Sequence, residues 1–353
     1  MGNLFSIRIK KINFGVGGLL VFEGNIEDVD VLNNISTGSN TADTEIDNKV
    51  SLILDSEIEL LDIPMLDNSA NEEGIYLATT GIIKKWKGCS IYKSIDNEST
   101  YSFAYQNVNP SIIGTTIDKL NSGPTTYYDL KNSVTVTLLA EGKLYSESLE
   151  GLLSAKNYIL IGDEILQYKN ASLNSDGTYT LTTLLRGRRG TEWAIGTHRT
   201  GDRFIFLSNS LMFDRTASLN VDSFYKAVTF GNFLEDANPK QIIPKIICLK
   251  PFSVSYFTVK KDASEGLLFE WSRRSRDVTG YFKTLDLFET DELYELDITA
   301  NSITVTKTIN NQLSYYYSKA EQISDGLYGF SIVSTIYQLS DLVGRGYPSE
   351  VIL

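Results

Sequence analysis

YILIGDEILQYKNASLNSDGTYTLTTLLRGRRGTEW, residues 158–193, decides the fold class. Tyr158–Ile161 and Glu164–Tyr168 flank Gly162-Asp163. A two-residue link with glycine first suits the type II′ turn of a tight hairpin. Gln167–Leu173 then turns at Ser175-Asp176-Gly177 into Thr178–Leu185, where Asp-Gly supplies the positive φ a second hairpin needs. Two hairpins in succession point to antiparallel β structure.

Outward from this stretch the same texture continues. Val134–Leu139 alternates as a strand, and Ser148–Asn157 is the clearest helical segment. There Leu149, Leu152 and Leu153 fall at i, i+3 and i+4, with Ser148 to cap the start and Asn157 to end it. Upstream, Tyr76–Thr79, Cys89–Ser94, Tyr101–Tyr105 and Thr115–Leu120 read as short strands. Lys87-Gly88, Asp96-Asn97, Asn109-Pro110 and Gly123-Pro124 mark the turns between them. Such spacing favours an antiparallel sandwich or barrel over βαβ units. At the start, Ser6–Asn13 and Leu19–Phe22 read as a strand pair joined by the glycines of 15–18, and Asn33–Asn48 reads as an exposed loop. Ser51–Leu60 returns to strand character and closes at Asp62-Ile63-Pro64. Beyond the Phe224–Phe230 strand, Pro239, Pro244 and Pro251 suggest a stiff interdomain linker.

The expected fold class is all-β: several antiparallel sandwich or barrel domains with a hairpin-rich insertion and a terminal sandwich. The expected boundaries are 1–60, an N-terminal β segment, and 61–132, the first part of a β domain. An inserted subdomain with one short helix follows over 133–209, then return strands and linker over 210–243, then the terminal domain over 244–353.

Composition agrees with a globular β protein. Hydrophobic residues make up 42% of 353 and charged residues 22%, with 20 Tyr and 16 Phe among them. The net charge of −12 is concentrated: Glu23 to Glu73 holds fourteen Asp/Glu and only Lys49, a balance of −13 that leaves the rest at +1. That excess argues against nucleic acid as a partner of this segment, and no direct nucleic-acid binding is expected, since phosphate binding runs on basic surfaces. Two readings stay open: a solvated acidic face, or one that meets a basic partner. Cys89 and Cys248 form no motif and read as isolated buried thiols. No signal peptide and no run of membrane-spanning length stands out, so synthesis in the cytoplasm without secretion is expected.

Arg186, Arg188 and Arg189 stand beside Gly187 and Gly190, with Arg199 and Arg203 nearby, against Glu192 and Asp202. Guanidinium forks bind carboxylates bidentately and tolerate desolvation. This loop therefore either docks on an acidic surface of a neighbour or ties itself down through Asp163, Glu164, Glu192 and Asp202. Catalysis is not expected. The single histidine, His198, has no second histidine or cysteine cluster for zinc, and no serine sits in a nucleophile elbow. Asp163 and Glu164 are strand neighbours and project to opposite faces, so they cannot flank one glycosidic bond. No phosphate-binding glycine loop is present, and no cofactor or metal is expected.

The last hundred residues carry Gly266-Leu267-Leu268-Phe269-Glu270-Trp271, then Tyr294–Ile298, Tyr328–Ser334 and Gly344-Arg345-Gly346-Tyr347-Pro348-Ser349. This resembles a fibronectin type III domain. The resemblance implies a sandwich of roughly 100 residues, with Trp271 buried on the second strand and tyrosines leading the third and sixth.

The middle resembles a second family. Leu160–Tyr168 is followed by Leu184–Trp193, then His198, Gly201-Asp202-Arg203-Phe204 and Phe224-Tyr225-Lys226-Ala227-Val228. Ile113–Thr116, Gly123–Thr126, Leu249-Lys250-Pro251 and Gln338-Leu339-Ser340 add shorter phrases. Their order is similar to the C-terminal half of the large tail-tip hub protein, or baseplate protein, of gene transfer agents and siphophages. The resemblance implies a structural subunit of a virion tail tip, made in the bacterial cytoplasm and present as a homotrimer in the particle. Its implied partners are the N-terminal hub portion, other tail-tip proteins and tail fibres, with host-envelope contact and a part in attachment or DNA delivery. In the long family members, hub and barrel regions precede these phrases, whereas here a Met stands before them. A split gene or an excerpt would account for this, and activities of those regions do not transfer. A rival reading is a carbohydrate- or receptor-binding module, with Tyr127-Tyr128 and Tyr315-Tyr316-Tyr317 as stacking platforms. Strand alternation is expected to bury the middle tyrosine of the triplet.

Overall fold

The structure, a computed structural model, describes residues 6–14, 20–27, 55–82, 86–277 and 288–353. The expected glycine turn at 15–18, the loop Asn33–Asn48 and five acids between Asp28 and Asp47 lie outside them. The chain divides into two compact units, residues 1–51 and 52–353. In the first, β1 (Ser6–Phe14) pairs antiparallel with β2 (Leu20–Glu27), with a register shift between Ile9 and Lys11.

The second unit opens with β3 (Ser56–Leu61), β4 (Ile75–Gly81), β5 (Cys89–Ser94) and β6 (Ser102–Asn107). Six strands follow: β7 (Ile113–Thr116), β8 (Asp129–Leu138), β9 (Tyr158–Ile161), β10 (Glu164–Leu173), β11 (Tyr179–Arg188) and β12 (Arg203–Phe206). They close into an antiparallel barrel in the order β10-β11-β8-β7-β12-β9. The chain then returns through β13 (Met212–Asp214), β14 (Ser223–Thr229) and β15 (Lys240–Ile242). β13 pairs with β4 and β14 with β5, so the barrel is inserted into one sandwich of sheets β13-β4-β3 and β15-β14-β5-β6.

Alternation explains how these strands are buried on both faces. Ile159, Ile161, Leu166 and Phe204 point into the barrel. Leu160, Ile165 and Ile205 point outward into a second core with Leu61, Tyr76 and Cys248. The unbroken apolar run of β9 follows, because both of its faces meet hydrocarbon.

The terminal region forms its own sandwich. β16 (Ser255–Lys261), β17 (Leu267–Ser272) and β20 (Ser314–Tyr317) make one sheet. The facing sheet holds β18 (Leu293–Ala300), β19 (Ile303–Asn310), β21 (Val333–Ser340), β22 (Gly344–Arg345) and β23 (Ser349–Ile352). Three strands face the β19-β18-β21 sheet, a fibronectin type III-like arrangement, and Trp271 on the second strand is 4% exposed.

Several expectations are corrected. The barrel takes in β7 and starts β8 at Asp129, so it does not begin at 133. The expected Thr115–Leu120 strand ends at Thr116. Helix α1 is a single turn, Leu149–Leu153, capped by Ser148 as read, but only Leu152 of the three leucines is buried. The supposed proline linker is no spacer: Ile246, Cys248 and Leu249 sit in the core between barrel and sandwich. Asp62 fixes this segment by accepting the Lys245 and Ile247 amides at 2.5 and 2.7 Å. Tyr328 lies ahead of the sixth strand, which is led by Val333. In β20 the phase is opposite to the expectation: Tyr317 is fully buried and Tyr316 is 46% exposed.

Candidate functional site

The β9–β10 turn aims Glu164 inward. Gly162 takes φ +57, leaving Asp163 exposed and the next residue on the buried face. On the neighbouring strand, the same alternation turns Arg186 inward. Its Nε and Nη2 donate to the two Glu164 carboxylate oxygens at 2.8 and 2.7 Å, a bidentate pair. Nη1 donates to Asp129 Oδ2 at 3.2 Å and to the Asn121 carbonyl at 2.9 Å. The Gly187 amide adds a third donor to Glu164. His198 closes the far side, with Nε2 2.7 Å from Glu164 Oε2 and Nδ1 3.2 Å from Asp202 Oδ2. Arg186, Glu164, Asp129 and His198 are all at most 3% exposed.

Burial alone would push the Glu164 carboxyl up. The hydrogen bond from His198 and the bonds and charge of Arg186 outweigh it and hold the group below the usual carboxylate range. Asp129 is likewise held down against burial, by Asn132, the Lys131 amide and Arg186.

The rest of the arginine loop splits between two tasks. Arg203 bonds the Gly162 carbonyl at 3.1 Å and the Leu60 carbonyl at 3.3 Å, tying the barrel to β3. Arg199 is exposed, and its amide donates to Asp202 at 2.9 Å. Arg188 and Arg189 are half-buried, and Arg189 lies over the Tyr158 ring at 5.5 Å. Glu192 is not held by any of these: its partner is Arg274 of the terminal sandwich, at 2.7 Å. Beside it Trp193 stacks on Tyr347, ring centroids 5.7 Å apart and planes 21° from parallel. Gly190, at φ +79, lies so close to Phe252 that an added Cβ would sit 2.3 Å from its ring. The loop is therefore a bridge from barrel to sandwich.

Sequence reasoning found the arginines but missed Asp129, Arg274 and Tyr347. Their separations along the chain leave no local signal. It also missed a second buried centre, Asp214, which accepts from Lys93, Tyr105, Tyr225 and Thr216 at 3.2, 2.9, 2.6 and 2.6 Å. Burial and the Asp214 charge push the Tyr105 phenol up to about 12. Among the described residues no His, Cys, Asp and Glu cluster could hold a metal ion, and no helix is long and apolar enough to cross a membrane.

These features define an all-β assembly of an inserted closed barrel, a host sandwich and a fibronectin type III-like terminal sandwich. A family described as Rcc01698-like, C-terminal, a gene transfer agent-related name, matches residues 111–205, which is the barrel. No curated protein matches the chain. Among solved structures it is similar to the chicken CNTN1 FN1-FN3 domains, at 10% identity over 84% of this chain and 97% of that one, TM-score 0.22. It is also similar to a two-domain fibronectin type III segment of chicken tenascin, at 8% identity over 67% and 98%, TM-score 0.23.

Proposed function

We propose that the chain is a structural subunit of the tail tip of a phage-like particle, the C-terminal part of a hub or baseplate protein. The observation that carries this is the direction of the arginine loop. Its Glu192 and Trp193 go into joining barrel to terminal sandwich, through Arg274 and Tyr347, as a structural part requires. The match of the barrel to a gene transfer agent-related family points the same way. Three copies in the virion, contacting the N-terminal hub portion, other tip proteins and fibres, complete the proposal. The loop has no catalytic part in it.

Replacing Arg188 and Arg189 together by Gln tests the reading. Lowered stability or lost association with other tip proteins is expected. Peptidoglycan hydrolysis by the wild-type chain, abolished in this variant, would overturn it.

A glycan-binding reading draws on one observation. Tyr127 and Leu130, 67% and 77% exposed, border a notch of about 250 Å³ with Pro124 and Asn132. Saturable glycan binding lost in Tyr127→Ala would favour it.

A further inference from the structure

We infer that the open edge of β19 pairs with β19 of a second copy of this chain, joining two terminal sandwiches through one continuous antiparallel sheet. β19 matches β18 along its whole length without a register shift and, among the described residues, pairs with no other strand. An unpaired edge offers a row of amides and carbonyls to any strand that can match it, and proteins blunt such edges with shortness, bulges or charge. Within residues 52–353 the other edges are blunted in these ways. β13 and β15 have three residues each, β20 and β23 four, and β22 two. β3 carries Glu57 and Glu59, and the pairings of β6 and β16 are broken by register shifts. β19 has eight residues, ITVTKTIN, with no proline, glycine or shift. Its one charge, Lys307, is engaged inside its own sandwich, with Asp325 at 2.8 Å and the Tyr317 ring at 5.2 Å.

The turn before the strand decides which groups face out. Asn301 and Ser302, at φ 48 and 63, form the two-residue type I′ link between the partners Ala300 and Ile303. Residues flanking such a link are a hydrogen-bonded pair, and the pattern then alternates. Ile303, Val305, Lys307 and Ile309 therefore direct their amides and carbonyls to β18. Thr304, Thr306, Thr308 and Asn310 direct theirs outward, and all four are exposed.

The same residues select the occupant and the register. A strand that is β-branched, nearly uncharged and free of proline is suited to pairing with itself. A two-fold axis perpendicular to the sheet presents the same patch from both copies and keeps their inner faces on one side. Centred on Thr306, it sets Thr306 against Thr306 and Thr304 against Thr308 on the exposed face. On the inner face it sets Ile303 against Ile309 and Val305 against Lys307. Pairs of threonines and of β-branched side chains directly opposite one another stabilise antiparallel strands. Centring on Lys307 instead would oppose two ammonium groups, and centring on Val305 would shorten the ladder. The contact is a property of the free chain and does not rest on the tail-tip reading.

Sedimentation of the intact chain over a range of concentrations tests this. The mass should rise towards two chains, and Thr306→Lys, which opposes two ammonium groups at the centre, should hold it at one. A mass of one chain throughout, or a dimer untouched by Thr306→Lys, would overturn the inference. Cross-linking reads the register. Opposed hydrogen-bonded residues have Cα atoms about 5.5 Å apart, within disulfide reach. Thr306→Cys should therefore oxidise to a covalent dimer. Thr304→Cys should not, because its counterpart lies roughly 13 Å further along the strand. Both native cysteines are buried. A cross-link at 304 with none at 306 would also refute the pairing. Should Thr306→Lys not fold, the two cysteine variants still decide.

Discussion

Arg186 and Glu164 meet through two parallel hydrogen bonds of 2.8 and 2.7 Å on neighbouring barrel strands, with neither side chain exposed to solvent. This pair sits where the barrel hands over to the loop that reaches the terminal sandwich. Breaking one side of a buried, bonded ion pair leaves the other charge stranded, at about 3–5 kcal/mol. Glu164→Gln should lower the unfolding free energy in urea by that order. Arg186→Lys should recover little, because an ammonium cannot make the bidentate contact. A loss near that of a surface pair, below about 1 kcal/mol, would show the cluster is not buried as described.

The same cluster fixes the response to acid. Glu164, Asp129 and Asp214 are all held below their ordinary values. An unfolded carboxylate takes up its proton near about 4, so the unfolded state binds protons first as pH falls. Stability from these groups is complete above that value and drains as pH drops through the lower folded values. Acid titration followed by fluorescence should therefore show a steep limb beginning near pH ~4–5. The limb should be shallower in Glu164→Gln.

Gly190 is the tightest point of the bridge. Its positive φ and the Phe252 ring exclude a side chain on two separate grounds. Gly190→Ala should cost about 1–3 kcal/mol. Hydrogen exchange should locate the loosening in the 187–198 loop and around Tyr347, leaving the barrel interior protected.

The terminal sandwich has a core of its own, built on Phe269, Trp271, Tyr294, Leu296 and Tyr317. Residues 250–353 expressed alone should give a folded β spectrum. Trp271→Ala in that fragment should cost about 3–5 kcal/mol. An unfolded spectrum of the wild-type fragment would place the boundary elsewhere.

What could be read from the sequence was what is local. Gly162-Asp163 and Asp176-Gly177 specify their hairpins within a few residues, and Ser148 caps its helix through an amide three positions on. Barrel closure was not legible. It depends on β7 and β12, four residues each and separated by most of the barrel. The tyrosine triplet shows the limit of alternation: period two is readable, but its phase is set by which side the opposing sheet lies on. The prolines at 244 and 251 suggested a spacer, yet Ile246, Cys248 and Leu249 between them are apolar and packed. Of the arginine loop, composition revealed the charge. It did not reveal that Arg186 turns inward, or that Glu192 is met by Arg274 from another domain.

The most direct test of the tail-tip proposal is to image intact particles carrying a small label on the Leu353 end of this chain. The account predicts label density at the distal tip of the tail, in three equivalent positions about its axis. Label along the tube, on the head, or in a number that three does not divide would contradict it.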